Sequence, residues 1–132
     1  MTAVIEGVEA ITIHISDIHK ARAFYGEVLG LKELQFDDKG NRAVFALPGT
    51  TTTLRMHRQG EGEGGREPGT VTGVILTHHD PVAACAEIRS RGGTITDEPH
   101  EITPPGFKAT LAVIADADGN EFVLRSIPIP NR

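Results

Sequence analysis

Hydrophobic and polar positions along these 132 residues follow a scheme that occurs twice. From Val8 to Ile15, β-branched residues alternate with polar ones, the period-2 signature of a half-buried strand. The period then changes. Ile18, Ala21, Tyr25 and Val28 recur at helical spacing, and Phe24 and Leu29 widen the apolar stripe. Asp17 is placed to cap this helix and Gly30 to end it. Leu31–Phe36, Arg42–Leu47 and Thr51–His57 read as three further strands, parted by the turn Asp38-Lys39-Gly40-Asn41 and by Pro48-Gly49.

The second half runs through the same plan. Val71–His78 reads as a strand, and Asp80-Pro81 supplies an N-cap and a proline in the first turn. Val82, Cys85 and Ile88 form the buried stripe of a helix that stops at Gly92-Gly93. A short strand, Thr94–Thr96, follows. Then come the turn Pro104-Pro105-Gly106, a strand Phe107–Ala115, the turn Asp116–Asn120, and a last strand Glu121–Ile127; the tail from Pro128 is expected to be extended. Asp17 to Gly30 and Asp80 to Gly93 both span thirteen positions.

Two such units must pack against each other to bury a core. The predicted fold class is α+β: two βαβββ modules, each a curved mixed sheet with one outer helix, forming an open barrel or cleft that could take a small molecule. One domain is expected over residues 1–132, with the first module at 7–58, a joint at 59–70 and the second module at 71–127. The joint is rich in Gly and Glu, and lacks the apolar surface needed to order itself. It also lacks the Lys-Ser/Thr ending of a phosphate loop, and its glutamates would repel phosphate.

Charge and composition narrow the function classes. A net charge of −5 with a pI near 5.6 and no basic patch argues against nucleic acid. No apolar run approaches a membrane span, and the N-terminus lacks the basic start and apolar stretch of a secretory signal. Cys85 is the single cysteine, so no intrachain disulfide can form and a cytoplasmic location is expected. Aromatic residues make up 5% with no tryptophan, which weakens any reading based on base or sugar stacking.

Three motifs carry a family resemblance. Ser16-Asp17-Ile18-x-x-Ala21-x-x-Phe24-Tyr25-x-x-x-Leu29-Gly30-Leu31 resembles the first helix of the vicinal oxygen chelate superfamily, also called the glyoxalase/bleomycin-resistance/dioxygenase family. Asp116-Ala117-Asp118-Gly119-Asn120-Glu121-Phe122 resembles the turn before its last strand, with Ala117 in place of the usual proline. Ala84-x-x-Glu87-Ile88-x-x-x-Gly92-Gly93 is similar to its second helix. The resemblance implies a divalent metal held by a His or Gln on the first strand of each unit and a Glu on the last. The matching positions here are Ala10, Leu54, Val74 and Val123, and none can ligate a metal. A one-residue slip would offer Glu9, Arg55, Ile75 and Glu121, at most two carboxylates. No metal and no cofactor are therefore expected.

Alternation along the strands adds Thr12 and His14 to Ala10's side, Thr52 and Met56 to Leu54's, Leu76 and His78 to Val74's, and Arg125 to Val123's. The resemblance places Phe107 at the cleft edge. The expected ligand-binding set is Ala10, Thr12, Leu54, Met56, Val74, Leu76, Phe107, Val123 and Arg125, apolar in the middle and polar toward its ends. His14 and His78 occupy equivalent positions in the two units. They are either structural histidines bonded to neighbouring strands, or a polar handle or general base. His79 is expected to point away from His78's face. Cys85 and Tyr25 read as core.

The expected function is binding of a small, partly apolar organic molecule without a divalent metal, similar to the antibiotic-sequestering branch of the family. The alternative is a metal-independent lyase or isomerase with His14 or His78 as catalytic base. The missing ligands oppose a metal-dependent glyoxalase or extradiol dioxygenase. A homodimer is implied by the resemblance, and neither nucleic acid nor a membrane is an expected partner.

Overall fold

Two aspartates start the two helices. In the computed structural model, which describes residues 3–39, 41–58 and 68–130, the Asp17 carboxylate accepts from the backbone N–H groups of His19 (2.9 Å) and Lys20 (3.2 Å). Asp80 accepts from that of Ala83 (3.1 Å). Each fills orphan donors of a first turn. Helix α1 (Ile18–Arg22) widens into a π-helical turn over Ala23–Val28, and α2 spans Pro81–Ser90. The π turn differs from the regular helix that the spacing predicts. It accompanies burial of the adjacent rings of Phe24 and Tyr25, which meet edge to face at 4.9 Å.

The chain divides into two units, Met1–Glu67 and Pro68–Arg132. The first sheet contains β1 (Ala10–Ile15), β2 (Glu33–Asp37), β3 (Arg42–Ala46) and β4 (Thr53–Arg58), in the order β1-β4-β3-β2. The second contains β5 (Val71–Thr77), β6 (Thr94–Ile102), β7 (Phe107–Ala115) and β8 (Glu121–Arg125), in the order β5-β8-β7-β6, with a short β9 (Ile129–Pro130) against β7. In each unit the first and last strands of the motif run parallel and the remaining pairs antiparallel. The described residues thus form the two βαβββ modules of an α+β fold. Gly40 of the predicted turn and 59–67 of the predicted joint lie outside the described residues.

One face of each sheet packs under its helix. In the first unit Ile13, Ile15, Phe45, Leu54 and Met56 join Ile18, Ala21, Phe24 and Tyr25 in the core. In the second, Ala112, Ile114, Phe122 and Leu124 join Cys85 and Ile88. At the start of the second unit the fully buried Asn120 fixes the incoming chain. Its side-chain oxygen accepts from Gly69 N–H (2.9 Å) and Thr70 N–H (3.1 Å), while its amide donates to Asp116 (2.8 Å). Gly69 has φ +88, and a Cβ there would lie 2.8 Å from the Asp118 carbonyl, so only glycine fits.

The register corrects four expected positions. Ala10 pairs with Thr53, Ile11 with Leu54, Thr12 with Arg55 and Ile13 with Met56. Paired residues share a face, so Leu54 and Met56 lie under α1, and Thr53, Arg55 and His57 stand with Ala10, Thr12 and His14. In β5 the chain between Val71 and Ile75 spans four residues against two between their partners Glu121 and Val123, with Gly73 at φ +77 in the irregularity. Ile75 and Thr77 therefore stand with Val123 and Arg125. Leu76 pairs with Leu124 on the helix side, and Val74 alternates with it. Strand β6 is also longer than the predicted Thr94–Thr96. It runs to Ile102 with two register shifts, because as an edge strand it tolerates Pro99.

Three outcomes follow from these contacts. Asn120→Ala leaves two backbone donors without their acceptor and should lower unfolding stability by about 2–4 kcal/mol, read as a lower urea midpoint at unchanged slope. In the folded protein a cysteine at Thr53→Cys should react quickly with a thiol reagent, while one at Leu54→Cys, like the native Cys85, stays protected; equal rates would contradict the register. The third outcome concerns Glu33, whose carboxyl is held below its ordinary range by hydrogen bonds from the Arg22 guanidinium (2.6 and 3.0 Å), with desolvation opposing. A depressed carboxyl stabilises the fold above its unfolded pKa and stops doing so as pH falls through the folded one. The melting-temperature gap between wild type and Glu33→Gln should thus be open at pH 7 and close below about pH 4, corresponding to about 0.5–1 kcal/mol for a partly exposed pair.

Candidate functional site

With α1 on one side of the first sheet, the opposite face is left to polar side chains. Cross-strand pairing arranges them in rows. One row is His14, His57, Arg42 and Asp37, running β1-β4-β3-β2. The next is Thr12, Arg55, Val44 and Gln35. A third begins with Ala10 and Thr53 and continues to Ala46. This face bounds a cavity of about 440 Å³ lined by Glu9, Ala10, Leu34, Gln35, Arg42, Val44, Thr53 and Arg55. The size is that of small-molecule sites. Ala10, Leu34 and Val44 give it apolar wall, and Thr53, Gln35, Glu9 and the two guanidinium groups give it directional polar contacts.

The two arginines differ from others in the chain. Arg22, Arg89 and Arg91 each pair with a glutamate: Glu33, Glu98 and Glu87. Arg42 and Arg55 have no ion-pair or hydrogen-bond partner for their side chains among the described residues. The chain carries −5 overall, yet the lining carries two cations and one carboxylate, a net of +1.

Of the residues expected to bind ligand, Ala10 lines this cavity, and Thr12 and His14 share its face. Leu54 and Met56 are excluded by burial under the helix. In the second unit, Val123 and Arg125 share one face of β8, and the Arg125 guanidinium sits 5.5 Å over the Phe107 ring; its buried Nε has no hydrogen-bond partner among the described residues. Val74 and Leu76 are not in that group. His78 lies beyond the end of β5, where its Nδ1 accepts from the Asp80 backbone N–H (2.9 Å) at the start of α2. Its ring stacks on His79 at 4.4 Å instead of pointing away from it. Leu34, Gln35, Arg42, Val44, Thr53 and Arg55 were not in the expected set, although the alternation of Thr53, Arg55 and His57 with Leu54 and Met56 marks the exposed face of β4.

A divalent metal does not fit these side chains. On the faces opposite the helices, the positions where the resemblance implies ligands fall at Ala10, Thr53 and Arg55 in the first unit and at Ile75 and Val123 in the second. These supply no imidazole, thiolate or carboxylate. Of the neighbouring acids, Glu121 is already engaged by the Thr96 hydroxyl (2.8 Å). Among the described residues no three His, Cys, Asp or Glu side chains gather closely enough to hold an ion. Likewise, among the described residues no helix is long and apolar enough to cross a membrane.

Comparison with known proteins agrees with the fold. A family model, the Glyoxalase/Bleomycin resistance protein/Dioxygenase superfamily, matches residues 7–124. The chain is 33% identical to a member of that superfamily from Sphaerobacter thermophilus DSM 20745, over 95% of this chain and 100% of the other, with a TM-score of 0.77. It is 30% identical to TnmS3, an antibiotic binding protein from Streptomyces sp. CB03234, over 97% and 100% of the two chains, also with a TM-score of 0.77. A glyoxalase/bleomycin resistance protein from the same Streptomyces strain is 30% identical over 89% and 98%, with a TM-score of 0.68. Among curated proteins none matches. With its two βαβββ modules, its motifs and this match over most of its length, the chain belongs to the glyoxalase/bleomycin resistance protein/dioxygenase superfamily.

Proposed function

We propose that this protein binds a small, partly apolar organic molecule, without a divalent metal, on the helix-free face of its first sheet. The observation that carries the reading is the cavity of about 440 Å³, in which an apolar wall of Ala10, Leu34 and Val44 meets a few convergent polar groups. The absence of metal-ligating residue types at the positions where the family resemblance implies them supports the metal-free part. Similarity to TnmS3, an antibiotic binding protein, supports a small-molecule-binding role. The same reading keeps the homodimer implied by the resemblance and the cytoplasmic location suggested by the lone Cys85.

Binding can be followed with N-phenyl-1-naphthylamine, a neutral aromatic probe whose fluorescence rises on burial. The protein should bind it in the presence of EDTA, and Val44→Trp, which fills the cavity, should weaken binding about tenfold or more, a loss of about 1.4 kcal/mol. Probe binding that requires added divalent metal, or that is unchanged in Val44→Trp, would refute the proposal.

A further inference from the structure

The chemistry of the cavity goes further than its volume and, resting on the reading above, names a ligand class. We propose that the molecule bound there is an organic anion, an apolar body bearing one carboxylate-like or sulfonate-like group, and that Arg42 and Arg55 hold the charged end.

Register places the cations. Arg55 and His57 are two apart on β4 and project from the same face, about 6.6 Å from one another along the strand. Arg42 on β3 is paired directly with His57, and so stands diagonal to Arg55, about 7–8 Å away. That separation suits two guanidinium groups converging on one anionic group while their stems lie along the sheet. A guanidinium offers a fork of donors matched to a two-oxygen anion, and it stays charged at any working pH.

Pairing elsewhere in the chain sharpens the point. The arginines beside the helices are matched by Glu33, Glu98 and Glu87. The cavity pair takes no glutamate or aspartate among the described residues, although Glu9 lies in the same lining and Asp37 is paired with Arg42 across β2 and β3. Two half-buried cations without a counter-ion among the described residues leave attraction available for a ligand. The wall beside them is hydrocarbon, with Val44 paired directly to Arg55. A free inorganic anion would leave that wall unused, and a neutral molecule would leave the guanidinium groups unmatched.

The test compares two probes that differ by one charged group: 8-anilino-1-naphthalenesulfonate and its neutral counterpart N-phenyl-1-naphthylamine. The wild type should bind the sulfonate about tenfold more tightly at low salt, and added salt should shrink the difference. The double variant Arg42→Gln/Arg55→Gln should lose that preference, read as the ratio of the two affinities, and a cooperative thermal melt reports that it has folded. Should it not fold, the single variant Arg55→Gln should lose severalfold of the sulfonate preference, with Arg55→Lys restoring part. If the sulfonate binds no tighter than the neutral probe, or keeps its advantage in the folded arginine variants, the anion proposal is overturned while the cavity reading stands. If the neutral probe ignores Val44→Trp, the cavity reading fails, and the proposal resting on it is overturned with it.

Discussion

A β-sheet has two faces, and a module with one helix can cover only one of them. In the first unit, α1 and its π-helical turn bury Tyr25 and Phe24 against Phe45, Leu54, Met56, Ile13 and Ile15. Each large side chain removed from water contributes about 1.5–3 kcal/mol. That burial fixes the strand register, since a slip of one residue would bring Arg55 and His57 under the helix and expose Leu54 and Met56. The π turn belongs to the same constraint. It lets two adjacent rings enter one core, and it brings Gly26 close enough that a Cβ there would lie 3.3 Å from the Phe45 ring.

What the helix leaves uncovered is then free to carry chemistry. On the first sheet the uncovered face takes titratable and hydrogen-bonding residues in ordered rows, because cross-strand neighbours on one face are forced into contact. The same βαβββ plan in the second unit carries a different face: Val123, Ile75 and Leu111, with Arg125 over Phe107. Duplication of a topology has thus not duplicated a site. The core faces are alike in kind, while the open faces diverge in charge, as expected if packing constrains one side of each sheet and ligand chemistry the other.

Much of this was legible in the residues. Asp17 and Asp80 announce the helix starts because short acidic side chains satisfy free N–H groups, and the Gly30 and Gly92-Gly93 stops follow from the same local physics. The face of β4 was legible too. Thr53, Arg55 and His57 alternate with Leu54 and Met56, but assigning Leu54 by family position overrode that alternation. Other features had no local signal. Family position puts Val74 and Leu76 on the open face, whereas pairing puts Ile75 and Thr77 there, and in so continuous an apolar run alternation alone does not mark which set meets the helix. Strand β6 runs past Thr96 through Asp97, Glu98 and Pro99, residues of low strand propensity that an edge strand tolerates because one side needs no partner. His78 and His79 were expected on opposite faces by strand alternation, but β5 ends at Thr77 and the turn into α2 stacks the two rings.

A family built around a chelated ion can lose its ligands without losing its fold, because the two depend on opposite faces. Ala10, Ile75 and Val123 occupy open-face positions that contribute nothing to the covered cores of their units. Exchanging a ligand for a hydrocarbon there leaves the register and the helix contacts untouched, and removes the cost of holding polar donors close together. It also changes what the face can attract. A metal site gathers carboxylates and imidazoles and draws ligand oxygens through the ion. On the proposed reading, a face with Ala10 at one such position and two guanidinium groups that have no counter-ion among the described residues would attract an anion directly. In that proposal, arginine on the first sheet would take over the electrostatic task that a bound cation would otherwise perform.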